Sequence, residues 1–253
     1  MVVFNYLPIV ILAFLLEVVD ASIGMGYGTL LTPALLMIGF DPLQVVPAVL
    51  VSQLAGDFSA AFFHHQFKNV NFSIGGEHFK IAAMLSLLSL IGSIIAVVIA
   101  VNSPKLIINL YIGILFVVTG LIILAIKNKN YGFSWTRLLC LSSLAAFNKG
   151  ISGGGYGPIV TAGQILSGVK VRSAIGIISL TEGVTCFIAM LFYIFIGRNI
   201  DWLLSILLSI GVVLSAPIAA FVVRKIDSRR LKWAIGISTL LLGLSTINTG
   251  FRS

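Results

Sequence analysis

Residues Ser152–Val160 read SGGGYGPIV, four glycines and a proline in nine positions. Such a run ordinarily marks a flexible linker or a phosphate-binding loop, and neither belongs in the middle of an apolar chain. A Walker loop is excluded because no Lys-Ser or Lys-Thr follows. A dinucleotide fingerprint is excluded because there is no strand and no G-x-G-x-x-G. The stretch has a counterpart instead. Sliding the chain on itself by 129 residues sets GMGYGTLLTP (Gly24–Pro33) over GGGYGPIVTA (Gly153–Ala162). Gly24, Gly26, Tyr27, Gly28 and Thr32 match Gly153, Gly155, Tyr156, Gly157 and Thr161, and the register continues without a gap through Gly39/Gly168 to Phe58/Phe187. Seven identities in 35 positions are modest, but five fall within nine residues, and the chain reads as a duplication.

The surroundings of both stretches are those of a membrane. Of 253 residues, 58% are hydrophobic and 9% charged, against about 25% charged in a soluble domain. Apolar runs of about 20 residues recur along the chain. They predict helices over 6–20, 42–64, 80–101, 104–126, 136–150, 171–197, 202–223 and 230–250, with Asp41-Pro42 and Ser103-Pro104 as start signals and kinks at Pro47 and Pro217. Two shorter pieces, 29–39 and 158–168, each follow a glycine cluster. Eleven residues cover about 16 Å, roughly half of a 30 Å hydrocarbon core, so these are half-helices or re-entrant segments. The beginning of the chain has no positively charged start and carries Glu17 and Asp20, which makes it a retained membrane segment rather than a signal peptide. One transmembrane domain is expected over 1–253, with a first repeat over about 1–127 and a second over about 131–253.

Positive charge orients the segments. Let each short pair, such as 6–20 with 29–39, fold as a hairpin that leaves the membrane on the side it entered. One side then collects twelve Lys and Arg (positions 68, 80, 127, 129, 137, 170, 172, 224, 225, 229, 230 and 232), and the other collects Lys105, Arg198 and Arg252. If instead 6–20 and 136–150 cross and the half-helices do not, the split becomes roughly even and the positive-inside rule is lost. With hairpins, each half makes three net crossings, so the second half is inverted and both termini lie outside. The expected fold is therefore an all-α polytopic membrane protein of two inverted repeats. Each has a broken helix or re-entrant hairpin at a glycine-rich tip plus three spanning helices, an arrangement common among secondary transporters.

The tips carry the functional reading. A half-helix that starts at membrane depth exposes unpaired N–H groups at the positive end of its dipole. Glycines let those groups approach a ligand, which makes an anion site. The candidate binding residues are Gly24, Met25, Gly26, Tyr27, Gly28 and Thr29 at the first tip, and Gly153, Gly154, Gly155, Tyr156 and Gly157 at the second. Thr32 and Thr161 are further hydroxyl donors. The competing reading is that the glycines serve tight helix packing. Charges inside apolar segments cost roughly 2.5–3.5 kcal/mol at the bilayer centre and are usually paired or functional. Asp20 and Lys149 occupy equivalent positions ahead of the two tips, and Glu182 aligns with Gln53. Lys149 is the candidate attractor of an anion, or else the partner of Asp20 or Glu182 in an ion pair. Glu17, Asp20, Asp57 and Glu182, with Gln53, are candidates for proton coupling or for ion pairs that hold helices together. Lys170 and Arg172 read as interface charges.

The net charge of +8 reflects cytoplasmic loops rather than nucleic-acid binding. Cys140 and Cys186 have neither disulfide nor metal-site spacing. His64, His65 and His78 sit at or beyond a helix end. No metal cluster, no cofactor and no nucleophile–base pair is expected, and no enzyme.

The GMGYG and GGGYG repeat, each leading into a threonine-containing half-helix, resembles the sulfite exporter family (TauE/SafE, the 4-toluene sulfonate uptake permeases) over nearly the whole chain. Met25 interrupts the family's glycine triplet in the first half. The resemblance implies transport of a small sulfur-containing anion, such as sulfite, thiosulfate, sulfoacetate or an aromatic sulfonate, across the bacterial inner membrane, with the lipid bilayer as the other partner. The residues alone imply only a small anion. A passive anion channel, a membrane enzyme or scaffold, and a homodimeric assembly stay open at this level. The charge count makes one direct prediction: cysteine labelling places Ser253 outside and Ser228 in the cytoplasm, and the reverse pattern would break the hairpin topology.

Overall fold

The computed structural model describes residues 2–24, 26–40, 42–101, 105–125, 132–152, 156–195 and 200–250. Among these the chain is all helical, in the order α1 (Val2–Ile23), α2 (Tyr27–Ile38), α3 (Pro42–Gln66), α4 (Glu77–Val101), α5 (Lys105–Ala125), α6 (Trp135–Ser152), α7 (Tyr156–Leu166), α8 (Val171–Phe195), α9 (Trp202–Lys225) and α10 (Ser228–Gly250). By length and composition, Tyr6–Ile23, Gln44–Gln66, Val171–Phe195 and Trp202–Lys225 can each cross a membrane.

The expected segments all appear, with one difference in proportion. The first helix runs 22 residues rather than 15, about 33 Å, because Pro8 is accommodated inside it and the helix continues beyond Asp20 to Ile23. It is long enough to cross by itself. The half-helices are short as expected, 12 residues in α2 and 11 in α7. Their ends are built alike. Gly39 and Gly168 take positive φ, 104° and 94°. The next N–H reaches back to close the helix, Phe40 to Leu35 C=O and Val169 to Gln164 C=O. This is the Schellman stop, in which a left-handed residue after the helix lets the chain satisfy an orphan carbonyl. The two bonds occupy positions that differ by 129, the same offset as the sequence repeat.

Each half-helix returns along the helix before it. Tyr6 near the start of α1 meets the Phe40 ring just past α2, centroids 6.4 Å apart. In the second half, Ser134 N–H donates to Ser167 C=O and the Arg137 guanidinium donates to Leu166 C=O, tying the start of α6 to the end of α7.

The chain divides into two compact units that do not follow the repeat halves. The first, Met1–Ala82 with Gly176–Lys225, gathers α1, α2, α3, most of α8 and α9. Its apolar core joins Ala13 of α1, Tyr27 and Leu31 of α2, Val45 and Val49 of α3, and Leu208 and Val212 of α9. A second cluster consists of Ala21, Ala60, Ala216 and Ala219. Small residues at such crossings let helix backbones approach where lipid offers no hydrophobic drive. The outward face of α9 carries Leu203, Ile206, Ile210, Leu214 and Phe221, all exposed. In water that would be an unusually large apolar patch; in a bilayer it is ordinary solvation.

The second unit is Ala83–Ile175 with Ile226–Ser253. In it α5 and α10 pack antiparallel through glycines seven residues apart. A Cβ on Gly120 would lie 2.9 Å from Gly236 C=O, and one on Gly243 would lie 2.8 Å from Gly113 C=O and 2.7 Å from Val117 N. Backbone cannot yield as a side-chain tip can. Gly243→Val is therefore expected to cost about 1–3 kcal/mol or more by overpacking. Gly132→Ala, where a Cβ meets nothing within 4 Å, should leave stability unchanged. Thermal unfolding of the purified protein in detergent reads the difference.

Candidate functional site

The break between α1 and α2 is made by Gly24 and Gly26, with φ of 77° and 127°. L side chains rarely adopt the second value, so glycine is required at position 26. Met25 lies outside the described residues. The first intrahelical bond of α2 runs from Leu30 N–H to Gly26 C=O at 3.0 Å, so the N–H groups of Tyr27, Gly28 and Thr29 precede it and need other partners. The Tyr27 N–H finds one inside the protein: it donates to Asp20 Oδ1 at 3.1 Å. The half-helix dipole is thus met by a carboxylate of the preceding helix, a buried N-cap.

The Tyr27 side chain is fully buried, and its hydroxyl pairs with Ser52 Oγ at 2.7 Å. Ser52 spends its own proton on Val49 C=O, so Tyr27 is the donor. That hydroxyl braces α2 against α3. Gln53, beside Ser52, rests its amide oxygen 3.2 Å from where a Cβ on Gly28 would stand, so Gly28 makes room for it.

Glu17 and Asp20, three residues apart, share one face of α1. Asp57 joins them from α3, and ligand oxygens of the three lie within 4.8 Å of one another, all buried. Gly56 makes this possible: a Cβ there would stand 2.8 Å from Glu17 Oε1 and 3.0 Å from Val212 Cβ. The cluster corrects the expectation of no metal-type grouping. Asp57 is far from Glu17 and Asp20 in sequence, and only the packing of α3 on α1 brings it in. α8 also packs against Asp57: a Cβ on Gly183 would stand 3.3 Å from Asp57 Cβ, and the residue before Gly183 is the buried Glu182.

α1 and α3 are also joined by a clamp that the sequence pattern does not mark. Asn69 Nδ2 donates to His64 Nδ1 (3.0 Å) and to Ala220 C=O (2.8 Å). With Nδ1 accepting, the proton sits on Nε2, which donates to Ala21 C=O at 2.9 Å. His64 is therefore a neutral structural residue that fastens the end of α3 to α1 and, through Asn69, to α9. The other expected histidines cap loops: His65 and His78 accept from the N–H groups of Phe72 and Asn71. Nothing in one sequence marks His64 or Ser52 as linked to residues so far along the chain.

The side chain of Thr29 at the first tip lies outside the described residues, as do Gly153, Gly154 and Gly155 and the side chains of Lys149 and Tyr156 at the second. Lys149 stands in the last turn of α6, and Tyr156 opens α7. Gly157 is buried, and the Thr161 hydroxyl donates back to its carbonyl at 2.7 Å. Of the interface charges, Lys170 is exposed and Arg172 ties α8 to Ile226 C=O. Cys140 is exposed and Cys186 buried.

The model of the sulfite exporter TauE/SafE family matches residues 9–246. The chain belongs to that family. It is also 24% identical over 249 residues to the probable membrane transporter protein YtnM of Bacillus subtilis (strain 168), covering 93% of this chain and 80% of that protein. No solved structure matches it. The chain is accordingly a multi-pass membrane transporter rather than an enzyme, from a family named for the export of sulfite.

The cap gives a stability test. Asp20→Asn keeps an oxygen for the Tyr27 N–H and Asp20→Ala does not, while both remove the charge. Asp20→Ala should therefore be the less stable of the two by about 1 kcal/mol. Chemical or thermal unfolding of both variants measures it, and equal stabilities would remove the cap from the account of α2.

Proposed function

We propose that the chain is a secondary transporter that exports a small sulfur oxyanion or sulfonate, of the sulfite, thiosulfate or sulfoacetate class. It works by alternating access around half-helix N-termini, in the bacterial inner membrane with both termini outside. The observation that carries the reading is the Asp20 carboxylate on the first N–H of α2. At the first tip the anion that the half-helix dipole demands is supplied by the protein itself. At the second, the equivalent position is Lys149, of opposite charge. A lysine cannot accept from the Tyr156 N–H, and it adds positive charge in front of α7.

The transported anion takes at the second tip the place that Asp20 takes at the first. A sulfite or sulfonate group presents the same kind of charged oxygen acceptors as a carboxylate, with three oxygens to share among several N–H donors. Support for equating the two tips comes from the half-helices themselves, whose starts at Tyr27 and Tyr156 and whose C-terminal bonds are offset by the same 129 positions. Gly153, Gly154 and Gly155 bring bare backbone to the anion, and Lys149 draws it in.

Binding of sulfite, thiosulfate, sulfoacetate, sulfate and chloride to the purified protein tests the reading. Lys149→Gln should weaken the best of these by about 10- to 100-fold, the loss of one charge-assisted contact of about 1.5–3 kcal/mol. Gly154→Val should abolish binding while the protein still unfolds cooperatively, and Lys80→Gln should change nothing. Unchanged affinity in Lys149→Gln would remove the anion from the second tip. In proteoliposomes, flux that never runs uphill under an imposed ion gradient would make the protein a channel.

A further inference from the structure

The acidic cluster is not absorbed by anion transport, and its chemistry points elsewhere. Glu17 is fully buried, and neither of its carboxylate oxygens has a hydrogen-bond partner among the described residues. The charges within its reach there, Asp20 and Glu182, have its own sign. A buried carboxylate in this state is costly, and the remedies are a proton or a cation. A proton on Glu17 would need an acceptor for its O–H, and none of the described groups stands at hydrogen-bonding distance. A cation needs only oxygens at the right separation. Hard cations take oxygen ligands at about 2.3–2.6 Å, so two ligands on opposite sides of one ion stand up to about 5 Å apart. The oxygens of Glu17, Asp20 and Asp57 lie within 4.8 Å of one another.

The backbone favours the same sign of ligand. Glu17 and Asp20 sit in the last two turns of α1, which finishes at Ile23, towards the negative end of the helix dipole. The opposing positive end, at α2, is already occupied by Asp20 Oδ1. Gly56 leaves the Glu17 carboxylate free to face the other two acids rather than a side chain.

We infer that Glu17, Asp20 and Asp57 form a Na+ site, and that Na+ is the coupling ion of the transporter. Na+ offsets one of the three carboxylate charges while the N-terminus of α2 faces another, at Asp20, and a monovalent ion is released more readily in every cycle than a divalent one. Broken helices supply sites of this kind, with anions at half-helix N-termini and cations at C-terminal ends and carboxylates. The coupling role rests on the anion-transport reading; the site itself does not.

The test uses the full chain in detergent with no anionic substrate added. Radiolabelled Na+ should bind saturably, and NaCl should raise the unfolding temperature relative to KCl or choline chloride at equal ionic strength. Glu17→Gln and Asp57→Asn should each weaken Na+ binding tenfold or more. Gly56→Ala, which alters no charge, should weaken it too by pressing on Glu17. The wild-type measurement stands even if a variant fails to fold. Absence of saturable Na+ binding overturns the site, as does a response to pH alone or to Ca2+ alone. Export driven by Na+ entry is an exchange, so in proteoliposomes preloaded with Na+ an outward Na+ gradient should drive anion accumulation. Anion flux indifferent to Na+ overturns the coupling, whereas Na+ binding without any anion flux would sink the transporter reading and leave the site standing.

Discussion

A helix that begins in the protein interior must dispose of backbone N–H groups that water cannot reach, and the buried bond from Tyr27 N–H to Asp20 Oδ1 is how this chain does so at the start of α2. Much else depends on it. For Asp20 to arrive there, α1 has to run to Ile23 and the chain has to reverse through Gly24 and Gly26 at positive φ. For Tyr27 to stay there, its ring is buried in the core shared by α1, α2, α3 and α9, and its hydroxyl is fixed on Ser52. The same carboxylate then brings negative charge beside Glu17 and Asp57. Capping the half-helix and assembling the acidic cluster are one act of packing.

Segment positions were legible in the sequence because apolar runs and their punctuation are local. Residues 42–66 and 171–195, the limits of α3 and α8, differ by 129 at both ends, as the register of the repeat requires. The half-helices were legible for the same reason, since eleven or twelve apolar residues between glycine signals cannot span a bilayer. What the sequence concealed was every contact between distant segments. That α9 packs with α1 and α3 follows from the fit of Ala21, Ala60, Ala216 and Ala219. Period and composition do not encode such a fit. Asp57 was recognisable as a costly charge, but its partners come from a helix some 40 positions away. The Asn69–His64–Ala21 relay was invisible, because each of its members is individually unremarkable.

The interior of the first unit inverts the usual economy of a soluble core. Glu17, Asp20, Ser52, Asp57, His64 and Asn69 are buried alongside core leucines such as Leu31 and Leu208, while other leucines and isoleucines, Leu15, Leu203, Ile206 and Leu214 among them, face outwards. In lipid an apolar side chain is solvated on either side, so outward leucines cost nothing, small residues set the closest crossings, and buried polar groups can carry function. The glycines show both uses. Gly120, Gly236 and Gly243 let α5 and α10 touch backbone to backbone. Gly26 turns the chain, and Gly56 and Gly28 open space for the side chains of Glu17 and Gln53. Tight packing and site building are therefore not competing explanations for glycine in this chain; they apply to different glycines.

The duplication matters most where it failed to stay symmetric. Positions 20 and 149 precede the two tips at the same distance, and one carries a carboxylate while the other carries an ammonium. Two identical tips, each capped from within, would leave no demand for an external anion. Two uncapped tips would leave no anionic partner to gather acids around. With opposite charges at the two positions, one half of the repeat closes its own helix and concentrates negative charge around Glu17. On the proposed reading, the other half keeps a positive helix end and an ammonium to be answered from outside. On that same reading, the exchange of one residue type between copies separates a cation function from an anion function, and a transporter that couples one ion to another needs that division.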